Sequence, residues 1–365
     1  MIDKRLLGQL DVKLVALVIT LIAIGIINLY SATVNLAGVG LPFYQRQLWW
    51  LGIGVVIGLL VFLVDYHYFE EFAYPFYFLS LLCIVCVLIY GMVVGGAQRW
   101  IKIGLFTFQP SELMKIALIF VLAHHFAKYT GRDGYRLRDL LIPAIITIIP
   151  VGLIAKQPDL GTALVLFFVF LSTVIFVKIR FRSLLILLMV VILATPFFWA
   201  GLKDYQRTRI LTFLNPNMDP LGAGYHIIQS KIAVGSGGIW GKGYLHGTQC
   251  KLQFLPEHHT DFVFAVLGEE WGFVGCGVVL ALYLTLILWG LNTSVRAKDR
   301  YGALLAFGIT AMLFFHVVVN VGMVLGIMPV VGLPLPFLSY GGSSIIVTLM
   351  GIGILLNVRA RRYMF

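Results

Sequence analysis

Long runs of hydrophobic residues fill most of the chain, and short polar segments separate them. A hydrocarbon layer of roughly 30 Å needs about 20 apolar residues per helix, whereas a barrel would show short alternating strands. The pattern therefore predicts an all-α polytopic membrane protein with about ten transmembrane helices. These are expected at about 12–30, 47–64, 72–94, 110–127, 140–155, 160–177, 183–202, 262–289, 301–327 and 343–357.

The composition excludes an ordinary soluble globular protein. Of the 365 residues, 60% are hydrophobic and only 12% are charged, far from the usage of soluble domains. We expect one integral membrane domain over residues 1–365. The first apolar run is too long for a typical signal-peptide core and lacks a persuasive cleavage site. Cys83 and Cys86 form a CxxC inside a predicted span, where packing explains them better than a metal or redox site.

The distribution of Lys and Arg predicts the orientation in the membrane. A net charge of +11 is ordinary for a membrane protein with basic cytoplasmic loops, so nucleic-acid binding is not expected. With the N-terminus inside, the inner segments hold most of the basic residues. The short outer loops hold only Arg46, Arg99, Lys102 and Lys156. We therefore expect both termini in the cytoplasm, and the long loop of residues 203–260, between helices 7 and 8, outside.

Within this long loop, the pattern predicts two local features. Residues 223–234 are apolar at helix-like spacing, which favours an amphipathic helix along the membrane interface. Residues 235–243 are rich in glycine but do not match a nucleotide-binding motif, so we expect a flexible turn cluster. The apolar positions of the expected helix include Tyr225, Ile228 and Ile232.

Charged residues at membrane depth are costly and therefore mark candidate sites. Glu112 and Lys115 lie three residues apart on one helix face and can pair. The pair is either a structural lock for its helix or part of a site for an anionic head group, and both can be true. Lys156 and Asp159 flank a tight outer turn, which is either solvated loop or part of a binding site.

The stretch 254–275 has the densest group of ionisable residues and is the expected reaction centre. Asp261 lies at the mouth of an apolar segment, where a carboxylate suits a general base because desolvation favours its protonated form. Thr260 or Asp261 can instead cap the following helix, and Thr260 is the preferred cap. At 100° per residue, Glu269 is about 80° and Glu270 about 180° round the helix from Asp261. Those two glutamates are therefore expected to be structural.

Two further segments contribute polar or irregular structure. His316 and Asn320 share one helix face, and an interhelical hydrogen-bond role is favoured over a catalytic dyad. Residues 329–344 are apolar but contain too many Pro and Gly residues for a regular helix. Irregular backbone at membrane depth requires cover from protein or a cavity, so this segment is expected to wall the same outward cavity as Asp261.

These motifs resemble those of the SEDS family (shape, elongation, division and sporulation). Residues 247–249, followed by the Phe-Leu-Pro-Glu run at 254–257, are more similar to its RodA (elongation) branch than to its FtsW branch. The resemblance covers essentially the whole chain. It is carried by Leu255, Pro256, Glu257, His259, Thr260, Asp261, Phe262, Gly268, Glu269, Glu270, Asn320, Gly326, Pro329, Gly332 and the run 339–344.

The resemblance implies a peptidoglycan glycosyltransferase that polymerises lipid II into glycan strands during cell elongation. It would act at the outer face of the cytoplasmic (inner) membrane with a class B penicillin-binding protein that cross-links the product. Further expected partners are the nascent glycan strand, membrane lipids and other membrane proteins of the elongation complex. The family's essential aspartate falls on Asp261, and its paired Glu and Lys fall on Glu112 and Lys115.

Under this hypothesis Asp261 removes a proton from the attacking sugar hydroxyl or positions that hydroxyl. The leaving lipid pyrophosphate gains negative charge, so basic side chains or a divalent cation (Mg or Mn) should stabilise it, and no organic cofactor is expected. A lipid II flippase and a non-catalytic scaffold remain the alternatives. The expected substrate-binding residues are Glu112, Lys115, Lys156, Asp159, Arg207, Arg209, Glu257, His259, Thr260 and Ser339.

Overall fold

The computed structural model describes most of the chain and is dominated by long helices. Its described residues are 8–34, 41–94, 97–103, 106–128, 134–183, 204–216, 222–252, 254–255 and 259–362, with a few single positions between 185 and 196. The helices of the first half are α1 (Val12–Thr33), α2 (Phe43–Leu63), α3 (Tyr66–Glu71), α4 (Ala73–Tyr90), α5 (Pro110–Ala127), α6 (Leu141–Lys156) and α7 (Leu160–Phe176).

In the second half of the chain, the described residues form three long helices and three shorter ones. The short helices α8 (Asp204–Leu214), α9 (Ala223–Ser236) and α10 (Thr248–Lys251) all belong to the long loop. They precede the long helices α11 (Val263–Val295), α12 (Arg300–Val324) and α13 (Gly342–Arg361).

The polytopic all-α architecture is confirmed. Over the described residues, 7 helices are long and apolar enough to cross a membrane, and α7 is apolar but shorter, with 17 residues. The expected span at 183–202 lies almost entirely outside the described residues. The total of ten spans therefore stays a prediction.

Several helices begin at side chains that satisfy free backbone amides, as helix ends require. The Asp11 carboxylate accepts from the amides of Lys13 and Leu14 at the start of α1. Asp299 accepts from the amide of Gly302 at 2.7 Å at the start of α12. These polar residues fix the positions at which the two apolar helices begin.

A small antiparallel sheet follows α4, which ends at Tyr90 rather than near residue 94. Its strands are β1 (Met92–Val94), β2 (Ala97–Ile103) and β3 (Phe106–Phe108), in the order β1-β2-β3. Arg99 of β2 donates through Nε to the carbonyl of Gln157 at 3.1 Å and also bonds the carbonyl of Pro158. The sheet is thereby fixed to the turn between α6 and α7.

The centre of the bundle is formed by α5 and α12, whose residues are mostly buried. By contrast α2 and α4 expose many large hydrophobic side chains, as expected of helices that face lipid. Glycines allow α2 and α13 to approach closely. A Cβ added at Gly58 would lie 2.9 Å from the carbonyl oxygen of Leu349, and one added at Gly353 would overlap the carbonyl of Gly58.

Helix α11 is interrupted at Gly272, whose backbone has φ 64° and ψ −162°, a conformation that only glycine adopts readily. The glycine-rich segment 235–243 forms turns, as expected, and these turns bond the interrupted helix. The amides of Phe273 and Val274 donate to the carbonyls of Gly238 and Ile239 at 2.9 and 3.1 Å. The backbone groups freed by the interruption are thus satisfied.

The expected helix in the long loop is α9, and it packs against α11 and α12. Its buried positions include Ile227, Ser230 and Ala233. Ser230 Oγ donates to the carbonyl of Val324 at 2.7 Å. Ile232, one of the expected apolar positions, is 45% exposed. The apolar positions chosen from the sequence are therefore not the face that packs on the bundle.

Candidate active site

Asp261 lies immediately before α11, at the end of the bundle that also holds the long loop. The helix begins at Val263 with Phe262 in the N-cap position. Neither Thr260 nor Asp261 is the N-cap residue, so the expectation that Thr260 caps α11 is wrong. Both residues are half-buried.

Asn320 of α12 fixes the backbone at Asp261. Its Nδ2 donates to the carbonyl of Asp261 at 2.9 Å and to the carbonyl of Leu333 at 2.7 Å. Asn320 is fully buried, so loss of either bond would leave a polar group without compensation. In the structure the irregular segment covers residues 325–341, between α12 and α13. The side-chain amide of Asn320 therefore fixes the main chain of Asp261 to this segment.

The irregular segment also shapes the space beside the Asp261 carboxylate. Gly332 has φ +72°, and a Cβ added there would lie 3.3 Å from Asp261 Oδ2. A side chain at this position would be strained and would crowd the carboxylate. Ser339 is buried within the segment, where its Oγ accepts from the amide of Leu335 at 2.8 Å. The segment thus walls the site as expected, and Ser339 stabilises the wall itself.

The predicted pair of Glu112 and Lys115 is present and fully buried on α5. Lys115 Nζ lies 2.8 Å from Glu112 Oε1 and 2.8 Å from His316 Nε2. His316 Nδ1 lies 3.1 Å from the carbonyl of Pro334, which can only accept. The proton is therefore assigned to Nδ1, and Nε2 accepts from the lysine ammonium. The pair forms a chain of three side chains that ends on the irregular segment.

His316 and Asn320 therefore have a common role. Both bond neighbouring carbonyls of the irregular segment, those of Pro334 and Leu333, and Asn320 also bonds Asp261. This agrees with the structural interpretation of the two residues. The structure adds that they link the buried pair on α5 to the backbone at Asp261, which the sequence pattern did not indicate.

A second polar cluster surrounds Asp159, which is buried rather than solvated. Its Oδ2 accepts from Gln109 Nε2 at 2.8 Å and from Ser111 Oγ at 3.3 Å. Its Oδ1 accepts from the amide of Thr162 at 3.3 Å and lies 3.8 Å from the Arg99 guanidinium. Asp159 therefore joins the start of α7 to the start of α5. Lys156, expected to act beside it, has an exposed side chain.

Aromatic rings form the other side of the Asp261 region. The His259 ring lies 4.7 Å from that of Phe43 and 6.1 Å from that of Tyr340, measured between centroids. The amide of Tyr340 donates to the carbonyl of His259 at 2.9 Å. The Arg46 guanidinium lies 5.8 Å from the centre of the Phe43 ring. His259 is thus held between α2 and the irregular segment.

The remaining candidates from the long loop are only partly placed. Arg207 lies on α8 and is half-buried. Arg209 belongs to the same helix, but its side chain lies outside the described part of the structure. Glu257 also lies outside the described residues. Its expected role in substrate binding stays a prediction.

Glu269 and Glu270 are fully buried and bond the long loop, in agreement with a structural role. Glu269 Oε1 accepts from Lys242 Nζ at 2.6 Å and from the amide of Thr248 at 2.8 Å. Glu270 Oε1 accepts from Ser31 Oγ at 2.5 Å. These contacts connect the long loop to α1 and α11.

Taken together, the fold and the site define a polytopic membrane protein with a half-buried carboxylate fixed at one end of its bundle. Residues 12–364 match the FTSW_RODA_SPOVE family, described as "Cell cycle protein". The chain therefore belongs to this family, and the resemblance seen in its motifs is confirmed.

Characterised relatives and solved structures extend over nearly the whole chain. The peptidoglycan glycosyltransferase MrdB of Escherichia coli is 41% identical, covering 98% of this chain and 95% of the relative. The peptidoglycan glycosyltransferase RodA of Treponema pallidum is 35% identical, covering 98% of this chain and 99% of the relative.

Two solved structures have similar folds. A chain from a peptidoglycan synthase complex that coordinates polymerisation and crosslinking has a TM-score of 0.84 at 38% identity, covering 98% of this chain and 99% of that chain. Thermus thermophilus RodA has a TM-score of 0.72 at 34% identity, covering 98% of this chain and 98% of that chain.

Proposed function

We propose that this chain is a peptidoglycan glycosyltransferase that polymerises lipid II, with Asp261 as the base. The observation that carries the assignment is the fixed position of Asp261, whose carbonyl bonds Asn320 and whose carboxylate faces Gly332. Full-length identity of 41% to a protein named as a peptidoglycan glycosyltransferase supports the reaction class.

The proposed step is attack of an acceptor sugar hydroxyl on the anomeric carbon of the lipid-linked donor. Asp261 accepts the hydroxyl proton, and the bond from the sugar to the lipid pyrophosphate breaks. A half-buried carboxylate held by its own backbone can be positioned for this transfer without a large reorganisation. Close to Asp261 in the chain, the ring of His259 contacts that of Phe43, and the ring of Phe43 meets that of Tyr340 edge-on.

For Lys115 we favour the structural one of the two roles that the sequence left open. Its ammonium is buried between Glu112 and His316, so we assign it to positioning of the irregular segment rather than to direct contact with pyrophosphate. Lys156 and the basic residues of the long loop, Arg207 and Arg209, stay candidates for that contact.

A divalent cation fits the site only when substrate completes its coordination. Within the described residues, no group of three or more His, Cys, Asp or Glu side chains could hold a metal. Mg²⁺ is commonly bound by one or two carboxylates together with substrate phosphates. Asp261 is the described carboxylate able to serve in this way, and a bound cation would offset the charge of the pyrophosphate.

The partner that best fits the proposal is a class B penicillin-binding protein, because a similar chain occurs in a complex that couples polymerisation to crosslinking.

The surplus of Lys and Arg in alternate loops favours cytoplasmic termini. This orientation would place Asp261 on the extracytoplasmic face. Lipid II and the nascent strand would bind there, and other elongation proteins would contact the chain on that side.

The deciding experiment is polymerisation of lipid II by purified chain with its transpeptidase partner. Wild type should yield glycan chains, and Asp261→Asn should reduce the rate by at least about a hundredfold, as expected when a general base is removed. The bond from Asn320 to the main chain of residue 261 does not involve the substituted side chain, and thermal unfolding of the variant verifies that it is folded. Full activity of a folded Asp261→Asn variant would refute the base assignment. Lipid II translocation without glycan product would favour a flippase.

A further inference from the structure

A cavity of about 460 Å³ lies between α1 and α11, separate from the residues around Asp261. Ile24 and Ile27 of α1 line one side, and Val274 and Val278 of α11 line the other. Ile27, Val274 and Val278 are among the exposed large hydrophobic residues of the described chain. The cavity therefore opens onto the surface that would face lipid, and we name it the α1–α11 crevice.

Three aromatic residues border the crevice. They are Trp240 and Tyr244 of the long loop and Trp271, next to the interruption in α11. The rings of Tyr244 and Trp271 lie 6.4 Å apart at an angle of 61°. Trp and Tyr concentrate where lipid head groups meet the hydrocarbon layer. Their faces also attract cations, and Trp does so most strongly.

Glu270 supplies a buried carboxylate to the same crevice. Its Oε1 accepts from Ser31 Oγ at 2.5 Å and from the amide of Gly247 at 3.4 Å. Its Oε2 is buried and has no hydrogen-bond partner within the described residues. Burying a carboxylate is costly unless its charge is compensated, so an incoming positive donor beside Glu270 would be favoured.

The neighbouring carboxylate shows what Glu270 lacks. Glu269 is equally buried, but Lys242 Nζ lies 2.6 Å from its Oε1, and Thr248 and Gln249 donate to it as well. In the part of the chain that is described, Glu270 has hydroxyl and amide donors but no corresponding ammonium. Among the described residues, Glu269 therefore has a lysine counter-charge and Glu270 has none.

We propose that the α1–α11 crevice binds an aminophospholipid, with its primary ammonium on Glu270 and an acyl chain along the apolar walls. A primary ammonium in the crevice would donate to the Glu270 carboxylate and supply the positive charge that the described residues lack there, and the aromatic rings favour a cation. A quaternary ammonium has no proton to donate, and an anionic head group would be repelled by the carboxylate. The lipid-facing opening selects a membrane lipid over a free amine. This inference does not depend on the proposed catalytic function.

The test is thermal unfolding of delipidated, detergent-purified full chain with four added lipids of identical acyl chains. Phosphatidylethanolamine should raise the midpoint by several degrees near saturation. Two of the lipids should bind at least about tenfold more weakly, since a charged hydrogen bond is lost. They are phosphatidylcholine, which is the N,N,N-trimethylated form, and phosphatidylglycerol. N-monomethylated phosphatidylethanolamine still has protons to donate and should retain part of the effect.

Variants separate head-group recognition from nonspecific lipid solvation. Glu270→Gln should remove the preference for phosphatidylethanolamine, and Trp240→Leu should weaken its binding several-fold. Trp240 is 79% exposed, so its replacement is not expected to unfold the chain. Trp49→Leu is the matched control, because Trp49 is 70% exposed on α2 and does not line the crevice.

Equal stabilisation by all four lipids would overturn the proposal, as would an unchanged preference in Glu270→Gln. If Glu270→Gln fails to fold, the lipid series on wild type and Trp240→Leu still decides. An identical response of Trp240→Leu and Trp49→Leu would then exclude recognition at the crevice.

Discussion

Individual side chains hold the candidate site mainly through bonds to the backbone. Asn320 bonds the carbonyls of Asp261 and Leu333, and His316 bonds that of Pro334. The charged pair of Glu112 and Lys115 lies behind His316 and is fully buried. The charged pair therefore supports the site through His316 and the main chain of the irregular segment.

Replacing one member of the buried pair should be much more damaging than replacing both. Glu112→Gln leaves the Lys115 ammonium without its counter-charge and is expected to cost about 3–5 kcal/mol of unfolding free energy. The double variant Glu112→Gln, Lys115→Met removes both charges and should recover a large part of this loss. Denaturant or thermal unfolding of the three proteins measures the difference. Equal losses in the single and double variants would show that the two residues do not act as a pair.

The sequence predicted the pair correctly because residues three apart on a helix must share a face. It also proposed Asp261 as the base, through its position and through the resemblance, and that role stays a prediction. It did not predict the bonds of Asn320 and His316, because their acceptors are carbonyls of an irregular segment with no repeating pattern. The cap assignment failed because α11 begins at Val263, and its N-cap residue Phe262 offers no side-chain hydrogen bond to the first turn.

At the scale of helices, contacts between glycines set how closely elements can pack. Gly58 of α2 and Gly353 of α13 bring the two backbones together, and an added Cβ at either position meets a carbonyl. Without a hydrophobic driving force between helices in lipid, such close packing is an important source of association.

Enlarging one of these glycines should separate the two helices. Gly58→Leu is expected to destabilise the folded chain by at least about 1–3 kcal/mol, as overpacking does. Gly52→Leu lies on the same helix, where an added Cβ meets nothing within 4 Å, and should be neutral or slightly stabilising. Thermal unfolding midpoints of Gly58→Leu and Gly52→Leu, measured in the same detergent, compare the two variants. A larger loss in Gly52→Leu than in Gly58→Leu would refute the packing argument.

The existence of the long helices followed from the sequence, because length and hydrophobicity are sufficient signals for a membrane helix. The small sheet at 92–108 and the break at Gly272 were not predicted. Strands of three residues are too short to show alternation. A single glycine within an apolar run does not reveal its backbone angles, which here depend on bonds from a distant turn.

At the scale of the whole molecule, the described residues contain no cluster of three metal-binding side chains. If a divalent cation takes part in the proposed reaction, substrate phosphates would supply part of its coordination.

A chelator should consequently abolish lipid II polymerisation without lowering the thermal midpoint of the protein. Added Mg²⁺ or Mn²⁺ should restore activity to wild type but not to Asp261→Asn, which serves as the control. Full polymerisation in excess chelator would exclude the divalent cation. A fall in the thermal midpoint would instead point to a structural metal held by the protein.

The bonds from Asn320 and His316 to main-chain carbonyls have an evolutionary consequence. Every residue type presents the same carbonyl oxygen, so the identities of Leu333 and Pro334 can change while the attachment persists. The two donors on α12 cannot change so freely, because few side chains offer an N–H at that reach. Substitutions should therefore be tolerated at Leu333 and Pro334 and not at His316 and Asn320. A library of substitutions at these four positions would measure the difference.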